Sequence, residues 1–215
     1  MNSLASRYPT RFLRSYARAK MATDPAYAAV LQRLAGTTEP LLDIGCGIGL
    51  LALYLRQSGF TAPITGVDHD ARKIAVARRV SNGEPDLRFL EADARQPIDF
   101  RGNVVLLDLL HYFSDEEQMG ILRNAAQVVP PGGLLIIREG LLDGTLRYRI
   151  THALETFARR TRWLKAERLN FPTRERIEEP LREHFREEVR SMSGFMPLNN
   201  YLFVFRRSSD GTTNE

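Results

Sequence analysis

The chain has 215 residues, of which 43% are hydrophobic and 26% are charged, and its formal net charge at pH 7 is +4. These values are ordinary for a globular domain and exclude a mostly disordered chain. No apolar run approaches the roughly 20 residues that a membrane-spanning helix needs, and the N-terminus lacks the apolar core of a secretion signal. The single cysteine excludes an internal disulfide and a multi-cysteine metal site. We therefore expect a cytoplasmic protein with one main domain.

The N-terminal segment carries the excess positive charge. Six basic and two acidic side chains lie within the first 40 residues, and the difference equals the net charge of the whole chain. Two helices are predicted there, over residues 10–20 and 24–35. Asp24 is a candidate N-cap of the second helix, Pro25 fits its first turn, and Gly36 follows its end.

From residue 40 onward, short apolar strands alternate with helices. The predicted strands are Leu41–Ile44, Ile64–Val67, Leu87–Leu90, Val104–Leu107 and Leu134–Ile137, and the predicted helices are Leu50–Gln57, Ala71–Val80 and 115–128. Ser114 and Glu117 form a capping box at the start of the third helix. Near-continuous apolar strands between helices indicate a parallel sheet that is covered on both faces.

The pattern changes in the last third of the chain. Residues 145–165 are predicted to form a basic helix. Two late strands, Glu187–Ser191 and Tyr201–Arg206, would add an antiparallel pair to the edge of the parallel sheet. Residues 208–215 are predicted to form a short disordered tail.

A glycine-rich loop joins the first strand to the first helix after it. Glycines at 45, 47 and 49 let the backbone turn sharply and approach a ligand closely. Ligands of open α/β sheets bind beyond the carboxyl ends of the strands, and Asp68 ends the second strand, where it can hold ribose hydroxyls. Together these features predict an adenosine-type cofactor.

Three details narrow the kind of cofactor. The G-x-G-x-G spacing differs from the dinucleotide pattern G-x-G-x-x-G. Asp43 precedes the first glycine by two residues, and its carboxylate would repel a pyrophosphate but attract an amino-acid ammonium. Asp93 follows the third strand, where it can accept a hydrogen bond from an adenine amine.

Five segments, in order, resemble the motifs of the class I, Rossmann-like S-adenosylmethionine-dependent methyltransferases: LLDIGCGIG, TGVDHD, FLEADAR, VVLLDLLHYFSDEE and VVPPGGLLIIRE. The resemblance implies a three-layer α/β fold with a seven-stranded, mostly parallel sheet that contains one antiparallel strand. It implies a cofactor-binding domain over residues 39–207, a basic helical lid over residues 1–38, S-adenosylmethionine as cofactor, and no metal.

The same resemblance implies roles for individual residues. The cofactor contacts would be Asp43, Gly45, Cys46, Gly47, Gly49, Asp68, His69, Asp93, Ala94 and Asp108. The lid and the acceptor wall would include Tyr16, Arg18, Lys20, Tyr112 and Tyr148. Asp108 would lie near the methionine end and His69 beside the adenine. Simpler interpretations stay open. Asp43 could do no more than accept hydrogen bonds from loop amides, and His69 could be an exposed loop residue.

The run LHYFSDEE resembles a segment of small-molecule O-methyltransferases in which the histidine is the general base. It implies that His111 is catalytic, although His111 could instead pack beneath the cofactor. The chain lacks the N/D-P-P-Y/F/W and Pro-Cys motifs of DNA-base methylation. We therefore predict methyl transfer, with O-methylation favoured, to a small aromatic or polyketide-like acceptor that is free or bound to a carrier protein.

Residues 11–27, RFLRSYARAKMATDPAY, show a weaker resemblance to methyltransferases of bacterial aryl-polyene pigment pathways. This resemblance and the basic N-terminal helix make an acyl carrier protein a candidate partner. The alternatives are an RNA-modifying methyltransferase and a nucleotide-dependent oxidoreductase. Aromatic residues are not interleaved with the arginines in a stacking pattern, so no nucleic acid partner is expected.

Overall fold

A computed structural model describes residues 2–143, 169–192 and 199–209 of the chain. The helices in these ranges are α1 (Asn2–Ser6), α2 (Arg11–Thr23), α3 (Ala26–Arg33), α4 (Leu50–Gln57), α5 (Ala71–Val80), α6 (Asp115–Val128) and α7 (Arg174–Glu178). The strands are β1 (Leu41–Ile44), β2 (Ile64–Asp68), β3 (Leu87–Glu91), β4 (Asn103–Leu107), β5 (Leu134–Gly140), β6 (Phe185–Ser191) and β7 (Asn200–Arg207). The predicted helix at 145–165, Tyr148 and residues 210–215 lie outside the described ranges.

The strands form one seven-stranded sheet in the order β3-β2-β1-β4-β5-β7-β6. Strands β1 to β5 pair in parallel, whereas β7 pairs antiparallel with both β5 and β6. The predicted sheet, with its single reversed strand, is therefore confirmed. The chain leaves β1 toward β2 on one side and later returns to β4 on the other. This reversal opens a crevice beyond the carboxyl ends of the strands.

Two apolar layers cover the sheet because successive side chains of a strand point to opposite faces. In β1, Leu41 packs with helices α2 to α5, whereas Leu42 and Ile44 pack with α6 and α7. All three side chains are buried. A strand that is buried on both faces, as β1 is, needs a helical layer on each side of the sheet. The predicted three-layer architecture is therefore confirmed.

Strand β5 is longer than its apolar run predicted. It continues past Ile137 to Gly140, since each added residue still pairs with β7 up to the match of Gly140 with Asn200. The added residues include Arg138 and Glu139, two buried charged side chains. Because the prediction followed apolar residues, it ended the strand before these two charged ones.

The N-terminal helices pack onto the glycine loop. Leu13, Ala17 and Met21 recur every four residues on α2 and are buried, and the Tyr8 hydroxyl donates to the Ile48 carbonyl at 3.2 Å. Asp24 was predicted as the N-cap of the second helix, but Pro25 occupies that position. The Asp24 carboxylate nevertheless accepts the amide of the first helical residue, Ala26, at 2.9 Å.

None of the helices in the described ranges combines the length and the apolar character that a bilayer crossing requires.

Candidate active site

A cavity of about 580 Å³ lies in the crevice at the carboxyl ends of β1 to β4. The predicted residues that line it are Asp43, Gly45, Cys46, Gly47, Asp68, His69, Asp93, Ala94, Asp108, Tyr16, Lys20 and Tyr112. Among the described residues, the lining does not include Gly49, Arg18 or His111. The fold thus brings together side chains from the N-terminal helix and from four strand ends.

The glycine loop is held in place from β2. The amides of Gly45 and Cys46 both donate to the Val67 carbonyl, at 2.8 and 3.0 Å. Gly47 has a left-handed backbone with φ of +56°, and a Cβ on it would meet no atom within 4 Å. A side chain at this position would therefore fill open space that the bare backbone leaves to a ligand.

Gly49 lets the loop pack closely on neighbouring elements. A Cβ on Gly49 would lie 2.9 Å from the ring of Phe89 and 3.1 Å from the Cβ of Ala77. Its φ is +76°, which also favours glycine. Gly49 therefore allows the loop to pack closely on β3 and α5, and its predicted contact with the cofactor stays a prediction.

Asp43 presents a buried carboxylate to the cavity. The residue is 3% exposed, and its Oδ2 has no hydrogen-bond partner among the described residues. Burial, together with the nearby charge of Asp68, raises the pKa of Asp43 to about 7. A buried carboxylate oxygen without a hydrogen-bond partner lowers the free energy of unfolding. A ligand that brings a cation or a hydrogen-bond donor to this wall would offset the cost.

The Asp68 carboxylate already has two backbone partners. Its Oδ2 accepts from the Gly47 amide at 3.0 Å, and its Oδ1 accepts from the Asp70 amide at 2.9 Å. Asp70 in turn caps α5 by accepting from the Arg72 amide at 3.0 Å. Asp68 thus fixes the loop and the start of α5 at the cavity wall. Its contact with a ribose stays a prediction.

An ion-pair cluster lies at the β3 end of the cavity. Arg95 binds Asp93 through Nε at 3.0 Å and through Nη2 at 2.6 Å, and its Nη1 binds Glu117 at 2.9 Å. His69 lies at the rim with two-thirds of its side chain exposed, 66%. Neither Arg95 nor Glu117 was predicted as a site residue, although Glu117 was predicted to cap α6. The Asp-x-Arg spacing in a tight turn was the available signal for Arg95.

Four charged residues meet at the opposite end of the cavity and form what we call the charge ring: Lys20, Asp24, Asp108 and Arg138. Lys20 Nζ lies 2.8 Å from Asp24 Oδ2 and 3.5 Å from Asp108 Oδ2. Arg138 Nη2 lies 2.9 Å from the same oxygen of Asp24 and also contacts the same oxygen of Asp108. Two cations and two carboxylates therefore alternate around a closed, neutral cycle.

Electrostatics within the charge ring keep Asp24 and Lys20 ionised. Burial alone would raise the pKa of Asp24, but Arg138 and Lys20 hold it below its ordinary value. Burial alone would lower the pKa of Lys20, but Asp108 and Asp24 raise it.

Asp108 also has a left-handed backbone, with φ of +54°, which is uncommon for a residue with a side chain. Strain of this kind is concentrated at functional sites.

Arg138→Met is expected to destabilise the protein by about 3–5 kcal/mol, because it leaves the buried Asp24 carboxylate and the partly buried Asp108 carboxylate without their main cation. Urea unfolding, followed by circular dichroism, measures this loss. The double variant Arg138→Met/Asp24→Asn should recover part of the stability, since it removes one of the stranded charges. A single variant as stable as the wild type would contradict this account of the charge ring.

His111 belongs to a buried network behind the cavity wall. Its side chain is 2% exposed, and Nδ1 lies 2.6 Å from Glu139 Oε1. The ring stacks on Phe171 with centroids 4.9 Å apart and lies 4.0 Å from the ring of Tyr112, which lines the cavity. Glu139 Oε2 accepts from the Leu110 amide at 2.7 Å. Glu139 was not predicted as a site residue. Its charge at the end of an apolar strand was the feature of the sequence that could have indicated it.

Gln118 fixes the segment that carries His111. Its Nε2 donates to the carbonyls of Leu110, Phe113 and Asn170 at 3.1, 3.1 and 2.7 Å. The Asn170 amide donates to the His111 carbonyl at 2.8 Å.

Within the described ranges, no group of three or more His, Cys, Asp or Glu side chains is arranged to hold a metal ion.

Residues 41–133 match the family model described as a methyltransferase domain. The chain is 31% identical over 122 residues to Methyltransferase GfsG of Streptomyces halstedii, covering 54% of this chain and 43% of that protein. It is 28% identical over 144 residues to the Ubiquinone biosynthesis O-methyltransferase of Caulobacter vibrioides, covering 63% and 52%. The chain thus spans about half the length of the curated relatives that it matches.

The fold is shared with magnesium protoporphyrin IX methyltransferase of Synechocystis PCC 6803, solved with bound SAH. The TM-score is 0.67 at 19% identity, and the match covers 93% of this chain and 89% of that chain. At this identity the likeness concerns the fold. The family match over residues 41–133, the ordered motifs and the shared fold together support the resemblance of this chain to the class I, Rossmann-like S-adenosylmethionine-dependent methyltransferases.

Proposed function

We propose that the chain transfers the methyl group of S-adenosylmethionine to a small aromatic or polyketide-like acceptor, free or carrier-bound, with an oxygen atom favoured as the acceptor. The cavity carries this proposal, because it combines carboxylates along the ends of β1 to β4 with aromatic side chains from α2, α3 and the segment after β4. The relative from Caulobacter vibrioides, which is named as an O-methyltransferase of ubiquinone biosynthesis, supports the choice of oxygen.

The residues present fit the cofactor at two points. Asp43 offers a buried carboxylate oxygen for its ammonium, and the bare backbone of Gly47 leaves room beside the loop. When bound, the cofactor supplies a methyl group already activated on a sulfonium. The chain then has to align the acceptor and exclude water. Tyr16, Tyr112 and Phe113 supply walls for an aromatic acceptor.

His111 is proposed as the base that removes the acceptor proton. Glu139 holds the Nδ1 side of its imidazole, so proton transfer falls to Nε2. Tyr112, whose ring lies 4.0 Å from the imidazole, lines the cavity, whereas His111 does not. The proposal therefore requires the Tyr112 side chain to move when the acceptor binds. Catalytic hydrogen bonds are often completed only in the substrate complex.

The N-terminal helices are proposed as a lid over the cavity. Tyr16 and Lys20 of α2 line the cavity, which supports this role for residues 1–38, whereas Arg18 is exposed outside the described lining. An acyl carrier protein is a proposed partner of this basic segment. The cytoplasmic location and the aryl-polyene resemblance stay predictions.

The test uses purified protein, methyl-labelled S-adenosylmethionine and host lysate, separated afterwards into small-molecule, protein and RNA fractions. Asp43→Asn serves as a matched control because it replaces one buried carboxylate oxygen at the cofactor site with an amide nitrogen. Label in an aromatic metabolite or on a carrier-bound thioester, absent with the variant, is the expected result. Label in RNA would overturn the proposed acceptor class. Binding of NAD in place of S-adenosylhomocysteine in a titration would instead favour an oxidoreductase.

A further inference from the structure

The strand order arranges four carboxylates along one edge of the sheet. Because β3, β2, β1 and β4 are neighbours in that order, Asp93, Asp68, Asp43 and Asp108 follow one another at their carboxyl ends. In the proposed function, this row runs from the adenine to the amino-acid part of the cofactor. The amino-acid part has both an ammonium and a carboxylate. The row provides for the ammonium and leaves the carboxylate without a cation.

Four lysine and arginine side chains are found among the described residues that line the cavity: Lys20, Lys73, Arg95 and Arg138. Arg95 already binds two carboxylates at the β3 end. Lys73 lies in the first turn of α5, beside Asp70, on the β2 side of the cavity. Lys20 and Arg138 remain, and both contact Asp108 at the β4 end.

Lys20 is the more accessible of these two cations. Its side chain is 28% exposed, against 5% for Arg138. An ammonium has three N–H donors, and Asp24 and Asp108 account for two of them. The third donor is available to a ligand in the cavity.

We propose that Lys20 binds the carboxylate of the cofactor's amino-acid part, opposite Asp43, which binds the ammonium. The inference rests on the proposed use of S-adenosylmethionine and assigns to α2 a direct contact with that ligand. The charge ring then has a purpose beyond stability, because Asp24 and Asp108 hold the Lys20 ammonium at the end of the cavity where the carboxylate lies. Helix α2 is thereby fixed over the bound ligand.

The test compares two ligands that differ by one group: S-adenosylmethionine and decarboxylated S-adenosylmethionine, which keeps the sulfonium and the ammonium. Isothermal titration calorimetry gives both dissociation constants for the wild type, Lys20→Met and Lys20→Arg. A charge-assisted hydrogen bond predicts that the wild type prefers the carboxylated ligand by about 10- to 100-fold. Lys20→Met should abolish most of this preference, and Lys20→Arg should keep most of it.

A control variant separates this contact from a general effect of net charge. Arg123→Met removes an exposed charge on α6. It should keep the wild-type preference. A wild-type preference in Lys20→Met would overturn the proposal for Lys20 alone. A wild type that binds neither ligand would overturn the proposed cofactor use as well.

Discussion

Asp43→Asn is expected to weaken the binding of S-adenosylhomocysteine by about 100- to 1,000-fold, because it removes the buried charge that faces the ligand ammonium. The same change should stabilise the empty protein at pH 8. In the empty cavity Oδ2 of Asp43 has no hydrogen-bond partner among the described residues, and the neighbouring charge of Asp68 adds repulsion. Asparagine keeps the shape of the side chain and removes the charge.

The pH dependence distinguishes this explanation from a simple packing effect. Between pH 3.8, the ordinary pKa of aspartate, and the folded-state pKa of about 7, the folded protein holds a proton that the unfolded chain has released. The stability of the empty wild type therefore falls as the pH rises through this range, by about 4 kcal/mol in total. The amide in Asp43→Asn binds no such proton, so the advantage of the variant should grow from pH 4 to pH 8.

Urea unfolding of the two empty proteins at pH 5 and pH 8, combined with calorimetric titration of S-adenosylhomocysteine, measures both effects. The affinity of the wild type should also increase as the pH rises through 7, since binding requires the ionised carboxylate. A variant that binds as tightly as the wild type, or that is less stable by the same amount at both pH values, would contradict the assignment of Asp43.

His111→Ala is expected to lower the turnover of an oxygen acceptor by about 10²- to 10⁴-fold, the usual contribution of a general base. The affinity for S-adenosylhomocysteine should stay within about threefold of the wild type, because His111 lies outside the described cavity lining. The measurement combines turnover with the acceptor identified by labelling and calorimetry with S-adenosylhomocysteine.

Addition of imidazole to His111→Ala should restore part of the turnover, which a merely structural role would not produce. The matched control is His184→Ala, which removes a largely exposed imidazole before β6. Glu139→Gln should lower turnover by about tenfold, because the Nδ1 side of His111 loses its charged partner. Full turnover in His111→Ala would assign His111 to packing and would require another base.

The parallel layers and the cofactor side of the cavity could be predicted from the sequence. Strands β1, β2 and β4 are short, mostly apolar runs, and Asp68 and Asp108 lie at the carboxyl ends of two of them. The G-x-G-x-G loop is equally local, since its three left-handed glycines follow one another within five residues. Features of this kind depend on neighbours in the chain, and a linear pattern therefore contains them.

Local pattern could not decide the position of His111. It lies beside Tyr112 in a single tight turn, and the two rings are 4.0 Å apart. Tyr112 nevertheless lines the cavity, whereas His111 contacts Glu139 and does not line it. Which of them meets the cavity depends on the buried partners that β5 brings.

The charge ring consists of contacts that form when distant parts of the chain pack together. The sequence predicts Asp24 as a helix cap, and its carboxylate does accept a helix amide. The same side chain also binds Arg138, 114 residues away. Lys20 and Asp108 are 88 residues apart. Contacts over such separations leave no periodicity in the sequence. They arise when β5 is placed beside β4 and the N-terminal helix packs across the ends of both strands.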